Sequence, residues 1–114
     1  MKNVYLTFLN LCELLQDETG VMAGVDLESK KLLEIIALKN SAGSPMKVMD
    51  AMRLDTLASP ATIHRKLTQL VKAGLVEMIH QGTNRRKKFL IPTPLAEKYF
   101  HQIGEIMFKA VGAH

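Results

Sequence analysis

One cysteine, Cys12, stands in a chain of 114 residues, so no intrachain disulfide can form. No apolar run approaches the roughly 20 residues that a membrane-spanning helix needs. The N-terminus, MKNVYLTFLNLCELLQDE, has an early lysine and an apolar stretch. It lacks a small-residue cleavage site, and Asn10 and Glu13 interrupt it, so it does not read as a signal peptide. A cytoplasmic location is expected. His64, His80, His101 and His114 lie far apart, and no Cys/His/carboxylate spacing resembles a metal site. There is no Gly-rich phosphate cradle, no nucleophile elbow and no HExxH pair. Carboxylates are sparse in the second half and scattered in the first. The sequence therefore predicts no metal, no cofactor and no enzyme. Internal repeats and low-complexity tracts are also missing.

What is present is ordinary in bulk and uneven in charge. The chain is 47% hydrophobic and 23% charged, as expected for one globular domain, and carries a net charge of +4. Between Arg53 and Lys98 nine Lys and Arg residues face only Asp55, Glu77 and Glu97, a local excess of six positive charges. Six basic and eight acidic residues make up the rest, a net of −2 that brings the total back to +4. Such clustering fits a polyanion, although a solvated basic face gives the same composition.

Residues 3–16 predict a helix with a wide apolar face (Val4, Tyr5, Phe8, Leu9, Leu11, Cys12, Leu15), which something must cover. Cys12 among these apolar neighbours reads as core and not as a redox sensor. DETGVMAGV, from Asp17, reads as a linker. Asp26 can cap a second helix running through Lys39, with Leu32, Leu33, Ile35, Ile36 and Leu38 making it strongly apolar. Ser44 and Pro45 resemble a cap followed by a first-turn proline and predict a short helix to about Met52. Seven methionines are expected to fill core and dimer contacts.

The stretch from Ser59 to Thr93 carries the most information. Ser59 and Pro60 again form a cap-plus-proline start. Ile63, Leu67, Leu70 and Val71 recur at helical spacing. Thr62, Arg65, Gln69 and Lys72 fall opposite, with Ala61 and Thr68 beside them. Gly74 stands where a left-handed cap ends the helix. Leu75–His80 predicts a strand, QGTNRRK a basic hairpin loop, and Lys88–Ile91 the returning strand, closed by Pro92 and Pro94. Strand alternation should turn only one of Lys87 and Lys88 outward. Leu95 onward predicts a final helix that Gly104 slightly weakens. In this order the parts predict a winged helix-turn-helix: mainly α, with a small β-hairpin wing. As a single domain it comprises a terminal dimerisation helix (1–16), the winged unit (26–93) and a C-terminal dimerisation helix (94–111).

These residues resemble the multiple-antibiotic-resistance regulator (MarR) family. Ser59, Thr62, Ile63 and Arg65 match its S-x-x-T-V-x-R helix, and Gly74, Leu75 and Val76 its G-L-V strand. Arg86 falls on the wing arginine, and Thr93 on the threonine that opens the following helix. The match spans about 30–100. Asn84 replaces the wing aspartate, the turn from Met52 to Ser59 is longer, and one long helix follows the wing where the family commonly has two. The resemblance implies a homodimeric DNA-binding repressor or activator paired through its terminal helices.

The residues and the resemblance together predict a double-stranded DNA interface made of Ser59, Ala61, Thr62, Arg65, Thr68, Gln69, Arg85, Arg86 and Lys87. Ala61, Thr62, Arg65 and Gln69 would read the major groove, Ser59 and Thr68 would hold phosphates, and Arg85 and Arg86 at the wing tip would lie in or beside the minor groove. Two other functions fit the same elements: a winged-helix module that binds protein, and an accessory protein of plasmid or phage replication. Neither an operator nor a small-molecule effector can be read from the residues.

Overall fold

In the computed structural model residues 1–81 and 84–114 are described, the side chains of 17–19 and 81–86 excepted. The elements run α1 (Lys2–Thr19), α2 (Leu27–Ser41), β1 (Met46–Lys47), α3 (Val48–Met52), α4 (Pro60–Lys72), β2 (Val76–Gln81), β3 (Asn84–Pro92) and α5 (Pro94–Gly112). They fall into two compact units, one of residues 25–96 and one of residues 1–24 with 97–114.

The first unit is built on α2, α4 and a three-stranded antiparallel sheet in the order β1-β3-β2. Asp26, in extended backbone, accepts the Ser29 N–H at 2.8 Å and so caps α2, as the sequence predicts. Ser29, Leu32, Leu33 and Ile36 then recur at i, i+3, i+4 and i+7 and are buried. The same spacing buries Ile63, Lys66, Leu67 and Leu70 on α4. Leu75, Val76 and Leu90 join these chains in the core.

Two local expectations need correction. Ser44 and Pro45 do not open a helix. Met46 and Lys47 pair instead with Leu90 and Phe89 of β3, forming a strand that periodicity over two residues could not announce. Helix α3 begins only at Val48, after the Lys47 N–H has donated to Asp50 Oδ2 at 3.1 Å. The basic stretch is also less of a loop than expected. Strand β3 begins at Asn84, so residues 85–87 are strand and not wing tip. Its register against β2 shifts between the pairs His80–Lys88 and Gln81–Asn84, leaving three more residues on β3 than on β2 between them, a bulge.

The end of α4 is fixed with particular economy. Gly74, at φ 75°, donates its N–H to Val71 O at 3.0 Å, and the Leu75 N–H reaches Leu70 O at 3.0 Å. This is the Schellman pair of bonds, and it turns the chain directly into β2. Thr93 secures the same corner. Its N–H donates to Leu75 O (3.1 Å) and its hydroxyl to Gly74 O (2.6 Å), while that hydroxyl accepts the Ala96 N–H (3.2 Å) and caps α5.

The second unit holds α1 and most of α5. Met22, Tyr99, Ile106 and Ala110 are its buried apolar residues, and Tyr99 meets Phe100 with ring centroids 6.1 Å apart. Thr7 Oγ1 and His114 Nε2 lie 2.8 Å apart, joining α1 to the C-terminus. Cys12 is half-buried. Much apolar surface stays open: Tyr5, Leu6, Leu9 and Leu14 on α1, and Met107, Phe108 and Val111 on α5.

Gly74→Val places a β-branched side chain at a left-handed position and should destabilise the protein by about 2 kcal/mol. Urea denaturation measures it, and a change below about 0.5 kcal/mol would contradict the account of this corner.

Candidate nucleic-acid interface

The polar side of α4 is a single stripe. Ala61, His64, Arg65, Gln69 and Lys72 are exposed, with Thr68 half-buried among them, at the i, i+3, i+4, i+7, i+8 spacing of one helical face. Arg65 and Gln69 thus stand open, and a small residue, Ala61, leaves room at the N-terminal end. His64 belongs to the same stripe and is missing from the predicted site. The signal was legible, because 61, 64, 65 and 68 share a face by spacing alone.

The predicted hydroxyls are already engaged. Ser59 Oγ accepts the Thr62 N–H at 3.3 Å and donates its own proton to Thr62 Oγ1 at 3.0 Å. Thr68 Oγ1 donates to His64 O one turn back, at 3.0 Å. Ser59 therefore spends its only proton inside the cap, and of the pair it is Thr62 whose proton is left for an external acceptor.

Lys66 departs most from the charge pattern read in the sequence. It belongs to the local excess of positive charge, yet it is 4% exposed. Its Nζ donates to Asp26 Oδ2 at 2.6 Å and lies 3.8 Å from Glu28 Oε1. The outward charge of α4 consequently comes from Arg65 and Lys72. The Lys66 ammonium, with the Ser29 N–H behind it, holds the Asp26 carboxyl down from 3.8 to about 2.

On the wing, Lys87 and Lys88 are both exposed, against the expectation that only one would face out. Alternation separates a core face from a solvent face only while the sheet lies on a core. Here Glu77–His80 of β2 is open to solvent as well, so the hairpin has left the core behind. The side chains of Arg85 and Arg86 lie outside the described residues. Among the described residues no group of three His, Cys, Asp or Glu side chains could hold a metal, and no helix is long and apolar enough to cross a membrane.

No protein-family model matches this chain, and no curated protein sequence does. Solved structures match it throughout. MarR is 19% identical, aligning over 96% of this chain and 76% of its own with a TM-score of 0.58. A MarR-like transcriptional regulator from Thermotoga maritima is 17% identical over 91% and 77%, with a TM-score of 0.62. FabT from Streptococcus pneumoniae, solved in complex with DNA, is 16% identical over 96% and 75%, with a TM-score of 0.56. The fold is the MarR-like winged helix, mainly helical with a small antiparallel sheet as its wing.

The lowered carboxyl of Asp26 has a pH consequence. A folded-state pKa below the unfolded one adds stability that is complete above about pH 4 and is lost as pH falls through about 2. Asp26→Asn keeps an oxygen for the Ser29 N–H but removes the charge. Wild type should therefore exceed this variant in denaturant stability by a constant margin from pH 7 to pH 5, a margin that closes towards pH 2. A margin unchanged across that range would contradict the pairing.

Proposed function

We propose that this protein is a transcriptional regulator that binds double-stranded DNA as a homodimer and represses by occluding a promoter. One observation carries the reading: α4 buries Ile63, Leu67 and Leu70 and presents Ala61, His64, Arg65, Gln69 and Lys72 as one open polar stripe. A recognition helix needs that division, with its N-terminal residues at the base edges. Thr62 would add a phosphate contact, and Arg85, Arg86 and Lys87 would grip the flanking backbone or minor groove from the wing. Ser59 and Thr68 would act mainly by shaping the helix, since their protons are taken within it. The DNA bound to FabT, a protein of the same fold, agrees with this use of the fold.

The homodimer rests on the open apolar residues of α1 and α5. They include Phe108 at 82% exposure and Tyr5 at 59%, and an apolar groove of about 330 Å³ is lined by Val4, Tyr5, Phe8, Met107 and Val111 among others. Soluble monomers seldom expose contiguous apolar surface of this kind, and a two-fold pairing would cover it. Sedimentation at micromolar concentration should give about twice 12.7 kDa. A monomer at that concentration would contradict the pairing.

Selection from random duplexes followed by sequencing tests the DNA reading. An enriched site whose affinity falls steeply with salt supports it, because phosphate contacts release counterions. A salt-insensitive association or no enrichment would favour a protein-binding module. On the enriched site Arg65→Ala should lower the specific-to-nonspecific ratio by about 1–3 kcal/mol, the value of a good base contact. Among the wing variants Arg86→Ala should weaken binding most and Lys88→Ala least, each lost phosphate contact flattening the log–log salt slope by about one unit. Equal loss on all duplexes for Arg65→Ala would make it a phosphate contact.

A further inference from the structure

A lysine buried on the inner face of a DNA-reading helix calls for a reason. An ammonium taken out of water is costly unless it is paired and hydrogen-bonded. Lys66 meets that condition at one place. Its side chain is 5% exposed, whereas its partners Asp26 and Glu28 are 53% and 51% exposed, so the ammonium emerges at the rim of the core. The partner is itself fixed: Asp26 is tied to Ser29 N as the cap of α2. A line of directional bonds therefore runs from the first turn of α2 through Asp26 to the middle of α4.

The rest of that packing is apolar. Ile63, Leu67 and Leu70 are buried on α4, and Leu32, Leu33 and Ile36 on α2. Such burial is non-directional and tolerates a helix turning slightly about its axis. A hydrogen bond of 2.6 Å to a carboxylate already fixed as the cap of α2 does not. Successive helical residues are about 100° apart, so any turn that displaces Lys66 swings Arg65 and Gln69 by the same angle. We propose that Lys66 is a positioning residue: its bond to Asp26 sets the rotation of α4 and with it the direction in which His64, Arg65 and Gln69 face the major groove. The inference rests on the DNA-binding reading for its functional meaning, but the orientation of α4 can be measured without DNA.

Two variants separate the effects. Asp26→Asn keeps the cap and loses the charge. Lys66→Met keeps the buried stem and loses the ammonium. Residual dipolar couplings of the free protein oscillate along each helix with its period of about 3.6 residues, and the phase of that oscillation reports the rotation of the helix about its own axis. In both variants the amides of α4 should change their couplings relative to those of α2, while the wild type fits a single arrangement. On the selected duplex both variants should bind about tenfold more weakly, the scale of coupling between contacting residues, with the salt slope unchanged. Unchanged α4 couplings would overturn the proposal. A slope lowered by about one unit in Lys66→Met would also overturn it, because Lys66 would then touch a phosphate. Loss of folding in Asp26→Asn would do the same, since the bond would be needed for the fold itself. If the wild type binds no duplex, the DNA reading fails, and the couplings still decide whether Lys66 sets the helix.

Discussion

The bond between Lys66 and Asp26 places a buried cation against the cap of another helix and leaves the open face of α4 to other side chains. Asp26 does two things at once: it satisfies the Ser29 N–H at the start of α2 and it neutralises the only lysine buried on α4. Removing the Asp26 charge leaves the Lys66 ammonium, at the rim of the core, with only Glu28 at 3.8 Å as a charged partner, whereas removing Lys66 leaves a half-exposed carboxylate that water can serve. The two partners are therefore unequal, and Asp26 is the more exacting of the pair. With Lys66 held inside, the open face of α4 is left to Ala61, His64, Arg65, Gln69 and Lys72, a face that mixes one small residue, two cations and two groups able both to donate and to accept.

The C-terminal end of α4 is fixed by backbone geometry and not by charge. Gly74 supplies the left-handed residue, the Schellman bonds close the last turn, and Thr93 ties that turn to the start of α5. One threonine thereby joins the end of α4, the residue before β2 and the first turn of α5. A helix held at its middle and its C-terminal end in this way can present side chains to a rigid partner without first paying to order them.

Much of this was legible in the sequence because it depends on short-range rules. Ser59–Pro60 and Gly74 mark α4 to within a residue, since caps and left-handed glycines act locally. Asp26 reads as a cap for the same reason. What was not legible depends on partners distant in the chain. Strand β1 is two residues long and exists only because β3 lies beside it. Lys66 reads as one more surface cation until Asp26, 40 residues away, is brought to it. Lys87 and Lys88 both face solvent because the hairpin outruns its core, a fact about the sheet and not about strand periodicity. His64 is a different case: its spacing with Ala61, Arg65 and Thr68 already places it on the same face of α4.

The most direct measurement is an amide NMR titration of the isotope-labelled protein with the duplex enriched by selection, at low and at physiological salt. The account predicts shifts concentrated at residues 59–72 and 84–88, weaker at the higher salt, with the amides of Lys2–Thr19 changing little. Shifts confined to α1 and the C-terminal half of α5, or none at either salt, would contradict the claim that the open face of α4 reads DNA.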